Sequence, residues 1–480
     1  MQIQLSDHFT YRRLLRFVLS PILMMIFTSV YSVVDGLFVS NFAGKTPFAS
    51  LNFIYPVIMV LGAVGFMFGA GGTAIVSKTL GEGHKTHANR YFTLVVIVTA
   101  VCGVVLAVTG IFVVEPLARL MGADGEMVEG DMLYYCVLYA RIILVALPFF
   151  MLQNLFQSFF ITAEKPKLGF VFTIASGVTN IVLDALFVAV FKWGLAGAAA
   201  ATAVSQAVGG IAPLIYFARQ NGSLLRFTKT KWYGRIVAKS CVNGSSELLG
   251  NVAMSLVSMI YNAKLMQIAG EDGVSAFGVM MYVQFIFVAI FIGYCIGTAP
   301  IIGYDYGAQN REELQNIFKK SMIIIAVVGV AMLALAEGLA DVISMMFFNK
   351  SMIKDGMTAD EIAEIERQIQ VLRPMTANGL RLYSICFIFA GFNMFCSSMF
   401  TALNNGLISA VSSFARTLVF QIGAIFVLPL FLGLNGIWLS TVAAEFLTLI
   451  LSVVLFIANN KRYQYVKLRR KPDNQISPLQ

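Results

Sequence analysis

Long apolar runs recur along the entire chain, at about 14–40, 51–78, 91–114, 132–161, 168–190, 194–218, 235–266, 275–304, 315–347, 372–402, 406–431 and 434–459. Each reaches or exceeds the roughly 20 residues that an α-helix needs to cross a bilayer. In lipid, a helix or a closed barrel is needed to satisfy every backbone polar group. The runs therefore predict an all-α integral membrane protein with twelve transmembrane helices. Composition agrees: 58% of the 480 residues are hydrophobic and 12% charged, against about 25% charged residues in soluble domains. Twelve spans use up the length, so no large extramembrane domain is expected. The first run is too long for a cleavable signal peptide and is expected to remain as a span.

The net charge of +9 would raise nucleic acid as a partner in a soluble chain, but here the charge sits in loops and tails and reports topology, so no nucleic acid is expected. With an even number of spans both termini share a side. Lys and Arg on that side number 23, against 8 on the other, so the positive-inside rule puts both termini in the cytoplasm. The expected location is the cell (inner) membrane, crossed many times. The basic tail from Lys461 is expected to lie against anionic lipid headgroups.

The chain matches itself. A slide of 226 residues brings Gly44, Ala63, Gly71 and Gly81 onto Gly270, Ala289, Gly297 and Gly307. A slide of 239 brings Asn154, Phe156, Ser158, Thr162, Ala163 and Leu168 onto Asn393, Phe395, Ser397, Thr401, Ala402 and Leu407, and Gly194, Leu195, Gly197 and Thr202 onto Gly433, Leu434, Gly436 and Thr441. The difference is an insertion near 348–372, where KDGMTADEIAEIERQIQ reads as a short amphipathic surface helix. Six spans per half give both halves one orientation. Two parallel six-helix lobes around a central cavity are a transporter architecture. The expected division is an amino-terminal lobe over 1–218, a cytoplasmic linker over 219–240, a carboxy-terminal lobe over 241–460 and a basic tail over 461–480.

A carboxylate at bilayer depth costs at least about 2.5–3.5 kcal/mol on insertion scales, which makes each a functional candidate. Asp35, Asp184, Glu247 and Glu445 stand out. Asp184 follows Asn180 by four residues, so both project from one helix face. Counted inward from the outer ends, Asp35, Asn180, Asp184 and Thr202 share a depth and can form one pocket in the first lobe. Two carboxyls in a dry pocket repel each other and lose hydration, so such a pair can hold a proton, or a sodium ion with help from amide and hydroxyl oxygens. The bland alternative is a pair that merely holds helices together. Against it, Asp35 aligns with Tyr261 and Asp184 with Gly423; a packing device is expected in both lobes, an ion site in one.

Glu247 is a possible second protonation site or a ligand for cationic substrate, with a residue snorkelling to the membrane face as the bland reading. Arg141, Arg381 and Arg416 are expected in structural ion pairs, and Glu445 as the partner of Arg416 or Arg381. Pro21 is either an ordinary membrane-helix proline or a hinge in the first helix that moves with the Asp35 pocket. Gly69-Ala70-Gly71-Gly72-Thr73-Ala74 mimics a dinucleotide loop but sits inside a span, where it reads as close helix packing. His84 and His87 lack further ligands, and the six cysteines (Cys102, Cys136, Cys241, Cys295, Cys386, Cys396) occur singly; neither a metal site nor a disulfide framework is expected. Of the abundant Phe and Met, some are expected to line the cavity, where they suit varied apolar and cationic molecules.

The proline-containing first helix ending in VVDGLFVSNF, the second helix running AGGTAIVSKTLGEG, its repeat GTAPIIGYDYGAQN, and the pattern NIVLDALF…WGLAGAAAATAVSQ together resemble the multidrug and toxic compound extrusion (MATE) family, from about residue 10 to 460. The resemblance implies a cation site at Asp35, Asn180, Asp184 and Thr202, with Asn154 as a polar neighbour. There is a departure: members with a carboxy-lobe cation site carry a glutamate deeper in the seventh span and an aspartate in the tenth. Here Glu247 comes about two turns early and the tenth span offers Asn393 and Arg381, so a carboxy-lobe sodium site is not carried over.

The expected function is secondary antiport: export of amphipathic, often cationic compounds in exchange for protons, sodium or both, by alternating access of the lobes. The chain is expected to act as a monomer among membrane lipids and to need no cofactor. A flippase for a lipid-linked saccharide or similar amphiphile is the alternative, and it predicts unpaired arginines facing the cavity. A membrane enzyme is not expected, because the short loops gather no cluster of His, Asp or Arg.

Overall fold

In the computed structural model, residues 3–39, 42, 45–123, 125–348 and 359–466 are described. Gly44, Asp124, Lys350, Lys354 and the tail from Lys467 fall outside them. Among the described residues thirteen α-helices follow one another: α1 (Tyr11–Phe38), α2 (Lys45–Gly81), α3 (Lys85–Leu120), α4 (Met132–Thr162), α5 (Pro166–Asp184), α6 (Gly194–Ala218), α7 (Gly234–Gly307), α8 (Arg311–Phe347), α9 (Ala359–Ser384), α10 (Phe387–Ala402), α11 (Gly406–Phe414), α12 (Gln421–Leu432) and α13 (Leu434–Tyr463). Six-residue π-helical turns extend α5 over Ala185–Val190 and join α11 to α12 over Ala415–Phe420. No strand occurs among the described residues.

Ten of these helical stretches are long and apolar enough to span a membrane, and α9 with α10 forms one more, bent by 46°. The twelfth span is hidden inside α7. This 74-residue run contains Gly270 at φ 62° and ψ −154°, a conformation that glycine adopts far more readily than any residue with a Cβ. There the chain folds back: Tyr261 and Phe277, sixteen positions apart, stack with ring centroids 4.2 Å apart, where a straight helix would hold them about 24 Å apart. Twelve spans result, as the apolar runs predict. The chain is a multi-pass membrane protein.

The insertion does carry a helix: from Ala359 it runs without interruption to Ser384, and its part from Ile369 onward is the first arm of the tenth span. That span is broken between Ser384 and Phe387. There the Ser384 hydroxyl donates back to the Arg381 carbonyl at 2.8 Å, a bond that competes with the helical ladder and favours bending.

The described residues nearest the two termini lie at one end of the bundle. Phe9 N–H donates to Glu313 at the start of α8 at 2.9 Å, and Arg311 donates to Gln464 beyond α13 at 2.6 Å. At this end the two lobes meet, most extensively where α2 packs on α7. Small residues allow the approach, and the contacts repeat with the sequence. Gly71 of α2 abuts Gly244 of α7, and Gly297 of α7 abuts Val18 of α1; the 226-residue slide carries Gly71 onto Gly297 and Val18 onto Gly244, so one contact is the equivalent of the other. The halves are therefore related by a pseudo-twofold axis running along the helices.

Candidate cation site

Asp35 lies three residues before the end of α1, and Asp184 is the last residue of α5. The two helices pack together, and the carboxyls come within hydrogen-bonding reach of each other. Asp35 Oδ1 and both oxygens of Asp184 are buried and have no hydrogen-bond partner among the described residues. With a proton between them they form a carboxyl–carboxyl bond. Asp184 is fully buried.

One face of α5 carries Ser176, Asn180 and Asp184 at four-residue intervals, all buried. Asn180 turns its amide nitrogen to Thr202 Oγ1 of α6 at 3.4 Å. That leaves Asn180 Oδ1 unpaired and buried. Ser176 donates to the Ser205 carbonyl at 2.8 Å and accepts from Gln153 Nε2 at 3.3 Å. Gln153 Oε1 and Gln206 Oε1 are unpaired and buried as well. Tyr31, Tyr55 and Tyr139 lie close enough to Asp35 to interact with its charge.

The first lobe therefore gathers an excess of buried oxygen acceptors over donors. Unpaired buried polar atoms cost free energy and are rare in native proteins. A cation removes the deficit, as a proton between the carboxyls or as a dehydrated monovalent ion among oxygens. A π turn follows directly after Asp184, and π turns recur at functional sites.

Asp35, Asn180, Asp184 and Thr202 are thus brought together. Asn154 is not hydrogen-bonded to them: it is buried on α4 with Nδ2 unpaired. Gln153 beside it makes the link to α5. Gln153, Gln206 and the three tyrosines were missed by the sequence reading. A signal existed for two of them, since Tyr31 precedes Asp35 by four residues and Gln206 follows Thr202 by four. Pro21 lies within an α1 that runs unbroken from Tyr11 to Phe38, where Gly293 of α7 approaches the Pro21 carbonyl and Ile22.

The second lobe carries a different arrangement. Arg416 donates twice to Glu445 Oε1, at 2.8 Å from Nε and 2.6 Å from Nη2. Asn393 donates to Glu445 Oε2 at 2.7 Å and accepts from Ser452 at 3.0 Å. Glu247, half-buried on α7, lies in the field of Arg416. The slide of 239 pairs Asn393 with Asn154 and Glu445 with Gln206, so the acid–amide pair of the second lobe falls on two neutral residues in the first, whose Nδ2 and Oε1 are both unpaired. The other membrane arginines are paired too: Arg141 with Glu115 at 3.6 Å, and Arg381 with Asp341 at 2.8 Å and Glu337 at 3.9 Å. No cluster of metal-ligating residues occurs among the described residues.

Comparison with known proteins agrees on a family. The family model described as MatE matches residues 21–186 and 248–427. Multidrug export protein MepA of Staphylococcus saprophyticus is 23% identical over 439 residues, covering 91% of each chain. Multidrug export protein MepA of Staphylococcus haemolyticus is 22% identical over 457 residues, covering 94% of each. A crystal structure of MATE in complex with MaL6 superposes with a TM-score of 0.86 at 21% identity, over 96% of this chain and 98% of that one. At that identity the structural likeness speaks for the fold. The family match extends over most of both lobes: the chain belongs to the MatE family of multidrug efflux transporters and is not an enzyme.

Proposed function

We propose that the protein is a secondary antiporter of the bacterial inner membrane, with both termini cytoplasmic, that exports amphipathic and cationic compounds in exchange for protons or sodium. The observation that carries this reading is the facing pair Asp35 and Asp184 among buried oxygens that lack donors. Asn180 and Thr202 complete the site, and Asn154 is a polar neighbour on α4. An ion that binds this site more tightly in one orientation of the lobes shifts the equilibrium by that difference in affinity, and substrate shifts it back. Pro21 is the hinge in α1 through which the site acts. Glu247, with Arg416 in its field, is a second coupling or substrate residue. The working division is a cation lobe to residue 218, a linker to 240, a second lobe to 460 and the tail.

One net charge moved across about 150 mV is worth about 3.5 kcal/mol, enough for a gradient of a few hundredfold. One proton exchanged for one monovalent cation moves no net charge, so use of the potential requires a second ion. Two carboxyls fit that requirement.

The flippase alternative draws no support from the arginines, since Arg141, Arg381 and Arg416 each have an acidic partner. The deciding experiment is transport of a cationic dye by purified protein in liposomes, with proton and sodium gradients imposed separately. Asp35→Asn and Asp184→Asn are expected to abolish transport at unchanged expression. Full transport by both variants removes the proposed site.

A further inference from the structure

On the flank of the first lobe, at the end that carries the termini, α5 and α6 part to leave an open groove of about 450 Å³. Phe172, Ala212, Ile215 and Tyr216 line its apolar part, and Arg219 and Gln220 its rim. The floor is firm: Tyr216 packs against Phe160 at 5.7 Å and Phe172 at 6.4 Å between ring centroids. The rim is fixed as well. Asn221 donates from Nδ2 to the carbonyls of Tyr216 at 3.1 Å and Arg219 at 3.3 Å, and its Oδ1 accepts from Ser223 N–H at 3.1 Å. This turn closes the end of α6 and aims the chain across α3, where Arg226 N–H donates to Asn89 at 2.7 Å and Thr228 N–H to Thr93 at 3.1 Å.

The charge along this stretch has one sign. Between Glu164 and Glu247 the only acid is Asp184, at the opposite end of the lobe, while Lys165, Lys167, Arg219, Arg226, Lys229, Lys231, Arg235 and Lys239 all fall within it. Arg219 is exposed and makes no ion pair among the described residues. Trp232, 73% exposed beside Lys231, is the residue type that settles at headgroup depth.

We infer that this groove is a binding site for one anionic phospholipid, its acyl chain on Phe172, Ile215 and Tyr216 and its phosphate at Arg219. An apolar channel that ends at a cation, at the level where α6 leaves the membrane, complements a molecule with an apolar tail and an anionic head. A zwitterionic lipid fills the same channel but presents a positive group to a rim that is already positive. Free phosphate matches the rim and gains nothing from the channel.

The test uses the full chain purified in detergent and exposed to equal amounts of phosphatidylglycerol and phosphatidylcholine, with bound lipid counted by native mass spectrometry. One phosphatidylglycerol is expected to be retained in preference to phosphatidylcholine. Arg219→Gln is expected to lower that preference about fivefold, the effect of one basic residue near an anionic lipid. Ala212→Trp, which fills the channel, is expected to lower retention of both lipids. Both variants are checked for a single symmetric peak on size exclusion and for dye transport, so that misfolding is recognised. Equal retention of the two lipids by the unaltered protein, or unchanged preference in Arg219→Gln, overturns the proposal. Displacement of the lipid by millimolar inorganic phosphate also overturns it, since the site is then one for free phosphate.

Discussion

Gly81 and Gly307 stand at equivalent positions in the two lobes, and each lies directly against the other's helix. Gly81 meets the Tyr304 carbonyl and Gly307 the Lys78 carbonyl, and residues 78 and 304 are themselves equivalent under the 226-residue slide. The pseudo-twofold axis passes between α2 and α7 at this point, where both backbones touch. A methyl group on either glycine overlaps the facing carbonyl. Gly81→Ala and Gly307→Ala are therefore expected to weaken closure of this end to a similar degree, and the double variant more than either. Thiol labelling of cysteines introduced at the facing surface, in a background without native cysteines, reads this as faster modification.

A short segment before α1 crosses the same interface. Leu5 N–H donates to the carboxylate of Glu164, in the α4–α5 connection of the first lobe, at 2.7 Å. Four residues later Phe9 N–H donates to Glu313 in the second lobe, and His8 Nδ1 lies 2.7 Å from the same carboxylate. Leu5 and Phe9 are fully buried. Hydrogen bonds to charged groups contribute about 1.5–3 kcal/mol each, so Glu313→Ala is expected to free the segment. Exchange of the Leu5 and Phe9 amides with deuterium is the measurement, and protection equal to that of the unaltered chain contradicts the assignment.

This segment also has a pH dependence with a definite sign. Burial is the main cause that raises the Glu164 carboxyl above the ordinary carboxylate range, with Asp7 acting in the same direction; the Leu5 N–H, Lys165 and Lys85 oppose it. A carboxyl whose pKa is raised in the packed state binds protons more tightly there than when released. Its burial penalty is present above the raised value and is relieved as pH falls toward the ordinary one. Protection of the Leu5 amide, corrected for intrinsic exchange, is expected to rise from pH 7 to pH 5. Glu164→Gln is expected to flatten that rise.

The Arg416–Glu445 pair is expected to be structural. Removing one partner of a buried pair costs about 3–5 kcal/mol, whereas replacing both by apolar groups of similar size is often neutral. Glu445→Leu alone is therefore expected to reduce folded yield in the membrane, and Arg416→Met with Glu445→Leu to restore it. If the double variant folds but does not transport, the pair serves transport as well.

Gln153 offers the opposite case. It ties α4 to Ser176 while its one side-chain oxygen remains unpaired, about two turns along α5 from Asp184. Gln153→Leu keeps the bulk and removes the oxygen. Folded yield is expected to hold, while the ion concentration for half-maximal transport rises by about tenfold, comparable to the loss of one hydrogen bond to a charged group.

The number of spans, their common direction in the two halves and the Asp35, Asn180, Asp184 and Thr202 set were all legible in the chain. Apolar runs of bilayer length have one cheap outcome in lipid, and side chains four apart on a helix share a face whatever lies around them. The same reasoning anticipated Arg416 as one of two partners for Glu445, since an unpaired charge at that depth is too costly to persist. Tertiary structure decided the rest. Gln153, and not its neighbour Asn154, reaches α5, because the rotation of α4 about its axis is set by packing against α2 and α6. The tenth span bends after Ser384, where a hydroxyl competes for a main-chain carbonyl, and no periodicity announces that bend. The groove beside Arg219 arises from the angle between two helices. Periodicity fixes which residues share a face; which faces meet depends on how all twelve helices fill space together.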